Sequence, residues 1–142
     1  MAFFHKDIDK KYMQNCLNLV LKGARKVSPN PMVGAVVLDK DGNKVGEGFH
    51  PKYGEPHAEV FALNQAAEKA KGGTLYVSLE PCFHYGKTPP CVDKVLASGV
   101  KRVVIAMLDP NPKVAGQSIA KMKNAGLEVV CGVLEKESIE LN

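Results

Sequence analysis

The chain has no tryptophan, and only five phenylalanines and four tyrosines among its 142 residues. Proteins that hold single-stranded nucleic acid use aromatic platforms for base stacking, and this sequence offers little material for one. It has no stretch of roughly 18 or more apolar residues, so no segment reads as a membrane-spanning helix. The opening residues, Met1 to Lys11, are charged and lack the apolar run of a signal peptide, which makes the cytoplasm the expected compartment. Excess charge of one sign is also scarce. With 19 basic and 15 acidic residues the net charge is +4, spread along the chain. That suits a small anionic ligand and is not the concentrated basic stripe of a nucleic-acid binder. The expected partner is therefore a small molecule, neither nucleic acid nor membrane.

What remains is ordinary for a globular domain, with 45% hydrophobic and 24% charged residues. The length suffices to bury a core without disulfides. No linker or internal repeat interrupts it, so residues 1–142 are expected to form one domain. Four cysteines in such a chain read as metal ligands or buried thiols. Cys16, among Leu17, Leu19 and Val20, and Cys131, after Val129 and Val130, read as small core residues. Cys82 and Cys91 lie among Pro, Gly, His and Thr, where no core is being built.

Apolar spacing predicts a helix from Asp7, as a cap, to Val27. The run Val33 to Leu38 predicts a buried strand, and Asp41-Gly42 a hairpin turn into an antiparallel strand, Lys44 to Phe49. Then come a helix over His57 to Lys71, a strand over Thr74 to Leu79 and a proline-rich loop. A helix over Cys91 to Ser98, opened by Pro90, leads to a strand over Val100 to Met107. A helix over Ala115 to Ala125, a strand over Leu127 to Cys131 and a short helical tail complete the pattern. This alternation predicts an α/β fold: five strands, mostly parallel, with helices on both faces. In such folds ligands bind beyond the carboxyl ends of strands. Asp109 and Asn111 follow one strand, Glu80 to Cys91 another, and His50 and His57 a third, while Asn30 precedes the first.

The residues that carry chemistry are His57-Ala58-Glu59 and Pro81-Cys82 with Cys91. A catalytic zinc takes three protein ligands and keeps one position open for water. His57, Cys82 and Cys91 supply one nitrogen and two sulfurs. Two helix N-termini facing a cation are unfavourable by dipole alone, and two thiolates offset that. Glu59, two residues from His57, can shuttle a proton between water, a ring nitrogen and departing ammonia. His-x-Glu followed by Pro-Cys-x-x-Cys is the signature of zinc deaminases. Here the second cysteine is displaced: eight residues separate Cys82 from Cys91, and Tyr85 stands where it would be expected.

The displaced spacing carries a resemblance. His57-Ala58-Glu59 and Pro81-Cys82-Phe83-His84-Tyr85-Gly86-Lys87-Thr88-Pro89-Pro90-Cys91 are similar to the motifs of the riboflavin-biosynthesis deaminases, a family within the cytidine deaminase-like superfamily. Asn30 to Val37, Gly54 to Glu59 and Asp109 to Pro112 extend the similarity over most of the chain. The resemblance implies a three-layer αβα sandwich with a five-stranded mixed sheet. It implies Zn2+ on His57, Cys82 and Cys91, and Glu59 as the proton shuttle. It further implies hydrolytic deamination of a diaminopyrimidinone ribosylamino phosphate, with Asn30, His50, His84, Lys87, Thr88, Asp109 and Asn111 contacting that substrate. Many members carry a reductase domain after this point. The chain stops at Asn142, so that domain is expected to be separate or missing. The helical faces permit a dimer or tetramer without specifying either. Three other readings stay open. The substrate can be another base or nucleoside. The zinc can be structural, with His84 as fourth ligand. The chain can be a non-catalytic module. Asn30, Asp109 and Asn111 also suit turns beside proline.

Overall fold

A computed structural model of the chain describes residues 2–23, 33–49, 57–81, 91–109, 112 and 115–141. The helices are α1 (Ala2–Gly23), α2 (Ala58–Ala66), α3 (Cys91–Ser98), α4 (Gln117–Asn124) and α5 (Glu135–Leu141). The strands are β1 (Gly34–Leu38), β2 (Lys44–Phe49), β3 (Thr74–Leu79), β4 (Arg102–Met107) and β5 (Glu128–Cys131). They form one sheet in the order β2-β1-β3-β4-β5.

The sheet is evenly mixed rather than mostly parallel. β1 pairs antiparallel with both β2 and β3, whereas β3–β4 and β4–β5 are parallel. The cause is one strand. β2, β3, β4 and β5 share a direction, as the alternation with helices requires, and β1 is inserted between β2 and β3 against them. Helix α2 therefore crosses over β1 on its way from β2 to β3. Alternation of strands with helices implies a shared strand direction but not which strand lies beside which.

Alternation along the strands divides the core into two layers. Val36, Leu38, Tyr76, Val104 and Ala106 face α1, whose Met13, Cys16 and Leu19 cover them. Ala35, Val37, Leu75, Val77, Val103 and Ile105 face the opposite way, under Ala62 and Leu63 of α2, Val92 and Val95 of α3, and Met122 of α4. α5 is tied to β3 by the Ser138 hydroxyl, which donates to the Ser78 carbonyl at 2.9 Å. The result is a helix–sheet–helix sandwich, with α1 on one face of the sheet and α2, α3 and α4 on the other.

Two glycines set the seat of α2. A Cβ on Gly46 would lie 2.2 Å from the carbonyl oxygen of Ala62, and one on Gly48 2.6 Å from that of Ala58. No side chain fits there, so the helix backbone rests directly on β2. That contact fixes the height of the first turn of α2, where His57 and Glu59 stand.

At the other end of the sheet lies a buried ion pair that the sequence did not announce. Arg102, first residue of β4, donates from Nη1 and Nη2 to the two carboxylate oxygens of Asp9 on α1, at 2.8 and 2.7 Å. The Tyr76 hydroxyl donates to Asp9 Oδ1 at 2.7 Å, and Arg102 Nε donates to Glu128 Oε2 at 2.9 Å. Both Asp9 and Arg102 are buried. Desolvation and the bond to Asp9 push the Tyr76 phenol well above its ordinary range, and the Asp9 bond raises the Arg102 guanidinium further.

Several boundaries differ from expectation. α1 begins at Ala2, so Asp7 lies inside the helix and does not cap it; no proline or glycine occurs between Ala2 and Lys6 to stop the helix. The helix expected over His57 to Lys71 ends at Ala66. Ala67, at φ 51°, turns the chain into a single 3-10 turn, Ala67–Ala70. β4 begins at Arg102, two residues later than expected, because Gly99, at φ 84°, still governs the turn. Cys16 is fully buried as expected, but Cys131 is exposed. It ends β5, an edge strand that, among the described residues, has no neighbouring strand on its far side to complete a core.

Candidate metal centre

The amino ends of α2 and α3 bring the chemistry together. His57 occupies the N-cap of α2 with extended backbone (φ −72°, ψ 162°), and its carbonyl accepts from Val60 and Phe61. Its imidazole does not serve as the side-chain cap of the helix. Cys91 is the first residue of α3 and is 6% exposed. His57 Nδ1 stands 2.9 Å from Cys91 Sγ. Glu59, in the first turn of α2, is 3% exposed, and its Oε1 lies 3.9 Å from His57 Nδ1. One donor atom from each of His57, Glu59 and Cys91 falls within 4.8 Å of the others.

This donor set fits a zinc ion. An imidazole nitrogen and a cysteine sulfur are the ligand types zinc prefers, and here both reach one point from rigid helix ends. The side chain of His57 is 49% exposed while Glu59 is buried, so the cluster has an open side and a closed side. A carboxylate at a helix N-terminus is favoured by the dipole, which offsets part of the cost of burying Glu59.

β3 and β4 are parallel neighbours whose carboxyl ends lie side by side. Glu80, the residue after β3, is 4% exposed. Its Oε1 accepts the backbone N–H of Asp109 at 3.1 Å and of Gly116 at 2.9 Å, and its Oε2 accepts that of Ser118 at 3.1 Å. The Ser118 hydroxyl donates to the Pro81 carbonyl at 2.5 Å. Lys121 Nζ of α4 bonds Asp93 Oδ1 of α3 at 2.7 Å, bracing those two helices, and the backbone N–H of Gly34 in β1 donates to Ser78 Oγ of β3 at 3.0 Å.

Of the residues singled out in the sequence, His57, Glu59 and Cys91 are brought together. Asp109 follows β4, held by Glu80. Cys82, His84, Lys87, Thr88, Asn30, His50 and Asn111 lie outside the described residues. Sequence reasoning passed over Glu80. Its signal was a carboxylate in Leu79-Glu80-Pro81, at the buried end of an apolar strand where an unpaired charge would be costly.

A family model described as the cytidine and deoxycytidylate deaminase zinc-binding region matches residues 6–107. The chain is 58% identical over 137 residues to the riboflavin biosynthesis protein RibD of Aquifex aeolicus (strain VF5), an alignment that covers 96% of this chain and 38% of that protein. It is 51% identical over 136 residues to the diaminohydroxyphosphoribosylamino-pyrimidine deaminase of Buchnera aphidicola subsp. Schizaphis graminum, covering 94% of this chain and 90% of that one. Among solved structures, a diaminohydroxyphosphoribosylaminopyrimidine deaminase/5-amino-6-(5-phosphoribosylamino)uracil reductase from Thermotoga maritima superposes with a TM-score of 0.90 at 48% identity, over 96% of this chain and 40% of that one. The chain therefore spans well under two thirds of the Aquifex and Thermotoga proteins.

Proposed function

The chain belongs to the cytidine and deoxycytidylate deaminase zinc-binding family, and on that premise we propose that it hydrolytically deaminates a diaminopyrimidinone ribosylamino phosphate, releasing ammonia, as a step of riboflavin biosynthesis. The observation that carries this reading is the meeting of His57 Nδ1 and Cys91 Sγ beside the buried Glu59 carboxylate. Support for the substrate comes from the roughly half-identical relatives named for that deamination.

His57 and Cys91, with Cys82, would hold zinc. The metal, when bound, supplies the Lewis acidity that makes hydroxide accessible near neutral pH. Glu59 takes a proton from the attacking water and delivers it to the ring nitrogen next to the carbon under attack. It then carries the second proton to the amino group, whose bond to that carbon breaks as ammonia leaves and a ring carbonyl remains. Burial of Glu59 suits this work, because a carboxylate shielded from solvent exchanges protons with the substrate rather than with bulk water. Asn30 and Asp109 would read ring or ribose groups, with Thr88 and Asn111 contributing further polar contacts. Lys87, His50 and His84 would meet the phosphate. A net charge of +4 is consistent with an anionic substrate.

A reductase is the functional partner we propose, on the same polypeptide or on another, since the Thermotoga protein is named for both activities. The test is ammonia release by zinc-loaded protein, with the ribosylamino phosphate and cytidine compared side by side. Turnover of the phosphate compound alone is expected. Turnover of cytidine alone would keep the chemistry and overturn the substrate.

A further inference from the structure

We infer that Glu80 is a positioning residue, whose carboxylate holds the backbone at Asp109 where β4 leads out of the sheet. The inference rests on the proposed function in one respect, that Asp109 contacts substrate.

Helix α4 has no cap of its own. Gly116 occupies its N-cap with φ 84° and, having no side chain, makes no side-chain cap bond, and the first turn contains no acidic residue. The missing acceptor comes from 36 residues earlier in the chain, where Glu80 receives the N–H of Gly116. It receives the N–H of Ser118 as well, with its other oxygen. A negative charge at a helix N-terminus is favourable, and two oxygens are needed to serve several donors at once. The third donor is the backbone N–H of Asp109, two residues past β4. One carboxylate thus gathers the end of β3, the exit of β4 and the start of α4. The Ser118 hydroxyl adds a bond to Pro81, the residue before Cys82, so the same junction bears on a proposed metal ligand and on a proposed substrate contact.

The chemistry of the side chain matters here. Glutamine has the same shape, but its amide presents one oxygen and one NH2 group. Turned either way, it sets an N–H donor against a backbone N–H donor. Glu80→Gln therefore loosens the junction without emptying it of volume. A hydrophobic or purely space-filling residue at this position would not respond so sharply to a change of one atom.

The experiment joins two readouts on zinc-loaded protein. Hydrogen exchange at the amides of Asp109, Gly116 and Ser118 reports the junction without any substrate. Steady-state ammonia release from the ribosylamino phosphate reports its consequence. In Glu80→Gln, exchange is expected to rise more than about 10-fold at those amides while the amides of β3 and β4 stay protected. KM is expected to rise about 10-fold or more with kcat held within a few-fold, because His57, Glu59 and Cys91 sit at the amino ends of α2 and α3, outside the junction. Glu80→Asp, which keeps the charge but retracts it by one methylene, should fall between, and serves in the same assays if the glutamine variant does not fold. Unaltered exchange at the three amides, or a uniform rise across the sheet, overturns the inference. Local loosening with unchanged KM overturns it too, by showing the junction to be structural only. Failure of the wild-type protein to turn over the phosphate compound is a separate result. It removes the functional reading, while exchange still decides whether Glu80 holds the loop.

Discussion

His57 Nδ1 and Cys91 Sγ lie 2.9 Å apart although 34 residues separate them in the chain. The first residue of α3 and the cap of α2 meet because both helices lie on the same face of the sheet, packed through Leu63, Val92 and Val95. A crossing of two helix N-termini is a poor place for a cation unless thiolate charge offsets the dipoles, and Cys91 is the residue there that would carry such charge with zinc bound.

Replacing either residue should empty the site of metal. In His57→Ala and Cys91→Ala, zinc affinity is expected to drop by more than about 100-fold, a larger loss than that from removing a ligand's outer partner. Elemental analysis after dialysis against a weak chelator measures it. Retention of stoichiometric zinc by either variant would place the metal elsewhere.

The buried ion pair at the opposite end governs stability and not chemistry. Asp9→Ala leaves Arg102 buried without its bidentate partner and should cost about 3–5 kcal/mol. Urea unfolding checks the loss, and kcat of the folded fraction should stay near the wild-type value. A cost below about 1 kcal/mol would show that the pair is solvated in solution.

Alkali should destabilise the protein through two buried groups. Burial pushes the Cys16 thiol and the Tyr76 phenol above their ordinary values of 9.0 and 10.0. Each is held neutral in the folded chain and ionises more readily in the unfolded one. Their contribution is therefore complete below about pH 9 and is lost as pH rises beyond it. The urea midpoint is expected to stay level from pH 7 to pH 8.5 and to fall from about pH 9 upward. Tyr76→Phe should make the decline shallower above about pH 10. A midpoint level up to about pH 11 contradicts this account.

Gly48 transmits packing to the site. Gly48→Ala drives a methyl group into the Ala58 carbonyl oxygen, 2.6 Å from where its Cβ would sit. The expected cost is about 1–3 kcal/mol, with α2 lifted from β2. Since His57 and Glu59 ride on that helix, activity should fall further than the loss of folded protein explains. Activity per folded molecule, taken from circular dichroism and ammonia release, separates the two.

Much of this was legible in the sequence because it depends on local signals. The apolar run Val33 to Leu38, the turn with Gly42 at φ 88°, and the helix opening at Cys91 all fell where residue pattern placed them. His57, Glu59 and Cys91 were legible because zinc chemistry demands those residue types. What the sequence concealed is long-range. The insertion of β1 between β2 and β3 is a choice of neighbours, which no periodicity records. The pairing of Asp9 with Arg102 joins residues 93 apart, each of which alone reads as an ordinary surface charge. Glu80 was hidden for the same reason, since its donors come from segments 29 to 38 residues away. Cys131 misled because the valines before it signal a strand but not that the strand is an edge.

The most direct test of the central claim compares the wild-type protein with Glu59→Gln, both loaded with zinc and supplied with the ribosylamino phosphate. The account predicts full zinc content in both, ammonia from the wild type, and a loss of about 100-fold or more in kcat for the variant. Loss of zinc from Glu59→Gln would make that carboxylate a ligand, and undiminished turnover would mean that the proton is carried by another group.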